Sequence, residues 1–255
     1  MPNLAFRSSD EIIDPLFEQL AHPDDSVSVA MLEKLIPTLP IEYQRYVAYG
    51  ITSLIKDDEY QAVTFFDMAF SASPQENKVF VLSNAAASLG VSKRYRRELI
   101  FLRKSLQLNS PKLLKYASHI AARWCEFGML KDIESKLMQL KSESILSDDE
   151  DINKMFNESN KMLSILGEAS ESERESLNLA ANLVQKLAED EGLPVFDTRV
   201  WKDSEDCYCY AFYLHEDYHD RFRELDEKLD RLIIDSMLDY THVTPVIFFG
   251  GAHAS

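Results

Sequence analysis

Residues 45–74 read RYVAYGITSLIKDDEYQAVTFFDMAFSASP, and the spacing within them decides the architecture. Apolar and small residues recur at helical intervals on both sides of a polar break, KDDE at 56–59, so the stretch predicts two helices joined by a short turn. Gly50, Ala62 and Ala69 are small where two antiparallel helices would cross closely, and Tyr46 and Phe66 are large enough to fill the gaps between them. Pro74 stops the second helix, since it has no N–H to donate and its ring clashes with the turn before it.

The same layout recurs downstream. Residues 78–111, KVFVLSNAAASLGVSKRYRRELIFLRKSLQLNSP, carry Tyr95 at the turn and then Leu102, Leu106 and Leu108 at apolar positions. Residues 112–140 form a third unit, with Gly128 at its expected inter-helix turn and Ala62, Glu98 and Ile133 as equivalent points. The intervals of Tyr46, Gly50, Ala62, Phe66, Ala69 and Pro74, and a period close to 34 residues, resemble the tetratricopeptide repeat over residues 42–140. Three positions depart from that pattern: Tyr60 falls one place late, and Glu98 and Ser105 stand where the family favours Ala. The resemblance implies stacked antiparallel helix pairs. Upstream, SSDEIIDPLFEQL and DSVSVAMLEKLI read as two more helices, with Ser9 or Asp10 and Asp25 as N-caps.

The helical period breaks at KSESILSDDEDINK, which places a linker near residue 145 and divides the chain into 1–145 and 146–255. Residues 151–166 and 171–190 then read as helices, the second with Leu177, Ala180, Leu183 and Leu187 on one face and Gly192 at its end. After Gly192 the period changes. LPVFDTRVW and CYCYAFYL read as strands around a DSED turn. A long helix follows from residue 216 or 217, its face marked by Tyr218, Phe222, Leu225, Leu229, Leu232, Ser236 and Tyr240, and HVTPVIFFG closes as a third strand. The expected fold is thus mainly α: a tetratricopeptide-like solenoid followed by a small α-β-β-α-β domain. Its free sheet edge invites a homodimer or a cover.

Charge is distributed unevenly. The net charge is −16, of which residues 141–255 supply −15, with 26 acids against 11 Lys and Arg. Between Asn77 and Trp124 the only acid is Glu98, against ten basic residues. Such asymmetry points to charged partners, or to the two halves docking on each other. The strong acidity disfavours nucleic acid, and the basic stripe has no aromatic ladder for stacking bases. No apolar run is long enough for a membrane span, the first residues lack the pattern of a secretory signal, and three cysteines are too few and odd in number for a disulfide framework. A reducing cytoplasm is the expectation.

One motif points to chemistry. His215-Glu216-Asp217-Tyr218-His219 reads H-E-x-x-H, the mark of a zinc-protease helix on which both His reach one metal. The alternation before His215 instead predicts a strand running up to a helix start, so that the two His straddle a junction. Asp217 also puts a charge where zinc-protease helices usually carry none. Cys207 and Cys209 do not complete a site, because along a strand Cys209 and His215 lie about 20 Å apart. The runs SDDED and DSED lack the Gly and closing Glu of a calcium loop. There is no phosphate loop and no G-x-S-x-G. The expected protein is therefore a non-enzymatic adaptor or regulator (chaperone, immunity or antitoxin-like) with no cofactor. The alternatives are a nucleic-acid-binding regulator using residues 78–123 and a zinc hydrolase using His215, Glu216 and His219.

In a tetratricopeptide solenoid the first helix of each pair lines a concave groove, and some members hold a peptide carboxylate there with Lys, Asn and Arg. The resemblance makes Lys78, Asn84, Lys112, Lys115, His119 and Arg123 the candidate partner-binding residues, with an acidic peptide as ligand. The acidic C-terminal domain would offer a second surface to a basic protein, such as a toxin or nuclease.

Overall fold

A computed structural model describes residues 10–23, 29–141, 150–238 and 242–250. The described chain is mainly helical, with a small three-stranded sheet near its C-terminal end. It divides into two compact units, Met1–Ser110 and Pro111–Ser255.

The first unit stacks helices in pairs. α1 (Asp10–Ala21) and α2 (Val29–Leu35) lead into α3 (Glu42–Ile55) and α4 (Glu59–Ala72), then α5 (Lys78–Val91) and α6 (Tyr95–Arg103). The expected caps Ser9 and Asp25 lie outside the described residues, and Asp10 is the first residue of α1. α3 and α4 cross where the sequence is small: a Cβ added to Gly50 would stand 2.6 Å from Cδ1 of the fully buried Phe66 ring. Tyr46 fills a gap between the same two helices, stacking on Phe65 of α4. Asp58 caps α4 by accepting from Gln61 N at 2.9 Å. Ser73, just before Pro74, turns extended and ends that helix. In the second pair Glu98 is buried, and Gly90 leaves room for its carboxylate: a Cβ there would stand 2.9 Å from Glu98 Oε1.

A backbone signature repeats across the turns. Asp57, Lys93 and Cys125 all have left-handed φ near +60°, 36 and then 32 residues apart. Each closes its helix with the same pair of hydrogen bonds, as in Lys93 N to Gly90 O at 3.0 Å and Arg94 N to Leu89 O at 2.8 Å. This registers the third pair, α7 (Pro111–Arg123) and α8 (Phe127–Lys141). The turn residue is Cys125, not Gly128, which already lies inside α8. The point equivalent to Ala62 and Glu98 is then Leu130, not Ile133.

That third pair belongs to the second unit, together with α9 (Glu150–Glu168), α10 (Glu171–Asp190) and the sheet. The linker expected near residue 145 lies at 142–149, outside the described residues. The reason for the grouping is the composition of α7. Leu114, Ser118, Ala121 and Ala122 are buried as well as Leu113, Ala117 and Ile120, which share one helix face, so the helix needs neighbours on several sides, and it packs on α8, α9 and β1. α10 is likewise buried on two faces, and Ser170 starts it with a reciprocal capping box to Glu173.

The sheet has the order β1-β2-β3. β1 (Asp197–Lys202) runs antiparallel to β2 (Tyr208–Leu214), which pairs in parallel with β3 (Val243–Phe249) through the crossover helix α11 (Phe222–Ser236). Tyr208, Tyr210, Phe212 and Leu214 point together into the core, as the alternation predicts. Pro245 sits in the edge strand β3, where its missing N–H leaves no ladder bond unmade inside the sheet. α11 starts at Phe222, five or six residues later than expected, because Glu216–Arg221 forms a 3₁₀ turn. Its buried positions are Leu225, Leu229 and Ile233, the last in place of Leu232, and Tyr240 lies outside the described residues.

Candidate functional site

The six residues expected to bind a partner fall in both units. Lys78 and Asn84 lie on α5 in the first. Lys78 Nζ donates to Phe70 O at 3.0 Å and sits 4.2 Å from the centre of the Phe70 ring, so its charge closes the C-terminal carbonyls of α4. Asn84 Nδ2 donates to Phe80 O of its own helix at 2.9 Å.

Asn84 nevertheless lines a cleft of ≈430 Å³ between α1 and α5, within the size range of small-molecule sites. Ile13, Phe17 and Ala87 form its apolar wall; Asp14, Glu18 and Ser83 complete the polar one. Asp14 and Glu18 are exposed one turn apart on α1, and among the described residues no cation lines the cleft with them. This acidic character was missed in the sequence, although the i, i+4 carboxylates of EIIDPLFEQL on a helix face were its signal.

The basic stripe of the first unit is largely used within that unit. Arg94 pairs with Asp57 and Glu59, Arg97 Nε with Glu59 Oε1 at 2.7 Å, and Lys104 with Asp67. Each pair joins α6 or a residue flanking it to α4 or to the turn preceding α4, so the stripe ties one helical pair to the next.

The other four expected residues lie on α7 in the second unit. Lys112 is exposed near the helix start, while Lys115 is buried with its ammonium 5.6 Å from the centre of the Phe156 ring. His119 and Arg123 come together. Arg123 Nη1 donates to Val195 O at 3.2 Å and Nη2 to Phe196 O at 3.3 Å, and Nη2 stands 3.4 Å from His119 Nε2. The Arg123 carbonyl in turn accepts from Tyr210 Oη at 2.7 Å and Thr198 Oγ1 at 3.2 Å, so the end of α7 is locked to β1 and β2. Burial and the neighbouring Arg123 charge push the His119 imidazolium pKa down to about 4, against a smaller opposing pull from Asp197, so the ring is neutral at pH 7. These two residues open onto a second cleft of ≈430 Å³ between α7, α9 and β1. Glu158 and Lys161 of α9 and Asp197 and Arg199 of β1 supply its other charges, and Met162, Ile165 and Val200 its apolar wall. The α9 and β1 contributors were not found in the sequence. Only the strand reading of LPVFDTRVW marked β1, and nothing local pairs it with α7.

The H-E-x-x-H segment spans a strand end and a 3₁₀ turn. His215 is extended and caps that turn, accepting weakly from Asp217 N at 3.4 Å, with Nδ1 2.9 Å from Asp217 Oδ2. His219 instead packs edge-on against Phe249, ring centres 5.4 Å apart. Among the described residues no group of three or more His, Cys, Asp or Glu is placed to hold a metal ion. Burial and the nearby Asp203 charge raise the Cys209 thiol pKa, and burial raises that of Cys125 well beyond the ordinary thiol range. Among the described residues no helix is long and apolar enough to cross a membrane.

No family model, curated protein or solved structure matches the chain.

Proposed function

We propose that the protein is a non-enzymatic adaptor or regulator that binds a basic protein partner, using the groove of tetratricopeptide-like helix pairs in its first unit. The observation that carries this reading is the α1–α5 cleft, which sets Asp14 and Glu18 beside apolar Phe17 and Ile13. Two first helices line it, those of the pairs on either side of α3 and α4, and the tetratricopeptide pattern implies first helices for a peptide groove. Its charge suits a Lys or Arg side chain flanked by apolar residues, the reverse of the acidic peptide expected from the sequence. The acidity of residues 111–255, with 29 acids against 16 Lys and Arg, favours the same class of partner, including a basic toxin or nuclease to be masked. The ion pairs from Arg94, Arg97 and Lys104 to α4 weigh against a phosphate backbone as the ligand of the basic stripe.

The test is a pull-down of tagged full chain from native lysate, eluted by salt and assayed for protein and nucleic acid. A basic protein recovered in stoichiometric amount, and lost in Asp14→Lys/Glu18→Lys, is expected. Recovery of nucleic acid alone, or of a partner indifferent to that double substitution, would overturn the reading.

A further inference from the structure

The α7–α9–β1 cleft has the makings of a ligand site separate from the proposed protein-binding groove. Arg123 is half-buried and held by two backbone carbonyls, which orient its guanidinium without neutralising it. Among the described residues no carboxylate pairs with it. Of the two acids that line the cleft, Glu158 makes no ion pair with Arg123 and Asp197 is engaged elsewhere: Oδ1 accepts from Thr198 N at 2.8 Å and Oδ2 faces Arg199 Nε at 3.3 Å. His119 is neutral and adds no charge of its own to the cleft. A partly buried, uncompensated guanidinium favours an anion strongly, because little water screens it.

The rest of the lining narrows the class. Arg123, Lys161 and Arg199 face Glu158 and Asp197, a net of one positive charge, which suits a monoanion better than a dianion such as phosphate. Met162, Ile165 and Val200 give the cleft an apolar side, and its ≈430 Å³ accommodates a body of several carbon atoms. We infer that this cleft binds a small organic carboxylate, its carboxylate on the open donors of Arg123 and its apolar part against Met162, Ile165 and Val200. Lys161, exposed at the rim, steers the anion in.

The experiment titrates the full chain with hexanoate and phenylacetate, using saturation-transfer NMR and calorimetry, with hexanamide, phenylacetamide and inorganic phosphate alongside. Saturable binding of at least one acid in the millimolar range or tighter is expected, with its amide at least tenfold weaker (about 1.4 kcal/mol) and phosphate silent. Arg123→Gln should abolish that binding. Because Arg123 also holds the chain before β1, the exposed Lys161→Gln is the second variant, expected to weaken binding severalfold in a chain that folds normally. No saturable binding of either acid would overturn the inference, as would amides or phosphate binding as well as the acids. So would acid binding that both substitutions leave unchanged. None of these outcomes bears on the α1–α5 groove, where Asp14 and Glu18 are the test.

Discussion

At the scale of single residues, two positions show how much the spacing carried. Gly50 was legible because the repeat pattern puts a small residue at the helix crossing, and Phe66 indeed fills the space beside it. Gly50→Ala gains about 1 kcal/mol of helix propensity but forces a methyl into the ring, an overpacking cost of about 1–3 kcal/mol. Phe66 is fully buried and also packs edge-on against Phe101, so it cannot swing aside. Urea denaturation should show a net loss of stability. His119 was legible only as a polar position on a helix; its neutral state depends on burial and on the Arg123 charge, against an opposing pull from Asp197 on a strand far along the chain, and no local pattern reveals that burial. Its folded pKa of about 4 lies below the ordinary 6.5, so the unfolded chain takes up the proton first as pH falls. The stabilisation from neutral His119 is therefore complete above pH 6.5 and is lost as pH falls from there towards 4. The full loss is on the order of 3 kcal/mol, and less to the extent that the ring is reached by water. His119→Gln should flatten that limb of the stability–pH curve.

At the scale of elements, the strands and most helices followed from period and turn residues. The turns themselves did not. Cys125 rather than Gly128 takes the left-handed position, because α8 begins two residues after it, as α4 and α6 begin two residues after Asp57 and Lys93. A side chain at φ near +60° costs about 1 kcal/mol, which Gly avoids. Lys93→Gly should therefore raise the thermal midpoint, net of the entropy that Gly adds to the unfolded chain. The 3₁₀ turn at Glu216–Arg221 was invisible for a related reason. Its geometry depends on His215 capping and on His219 and Phe222 packing against Phe249 of β3, a strand that follows in sequence. The α4–α6 ion pairs are exposed and individually weak. A double-mutant cycle on Glu59→Lys and Arg97→Glu should give a coupling of about 0.5 kcal/mol that shrinks with added salt.

For the whole molecule, the sequence conveyed the succession of a helical region and a smaller α/β region, and the acidity of the latter. The compact units part at Ser110–Pro111 and not near residue 145, because α7 reads as one more repeat helix while its buried Leu114, Ala121 and Ala122 give it partners in α9 and β1. The expected binding residues were dispersed for the same reason: a stripe on one helix is continuous in sequence but is shared among whatever packs around it. The proposed partner site is the acidic α1–α5 cleft. Its direct test is a fluorescence-anisotropy titration of the full chain with labelled peptides that match in apolar residues but differ in sign of charge. The proposal predicts saturable, salt-sensitive binding of Lys- and Arg-bearing peptides. Asp14→Lys/Glu18→Lys should lose it by at least tenfold with the helical circular dichroism unchanged. Preferential binding of the acidic peptides, or basic binding that survives the double substitution, would contradict it.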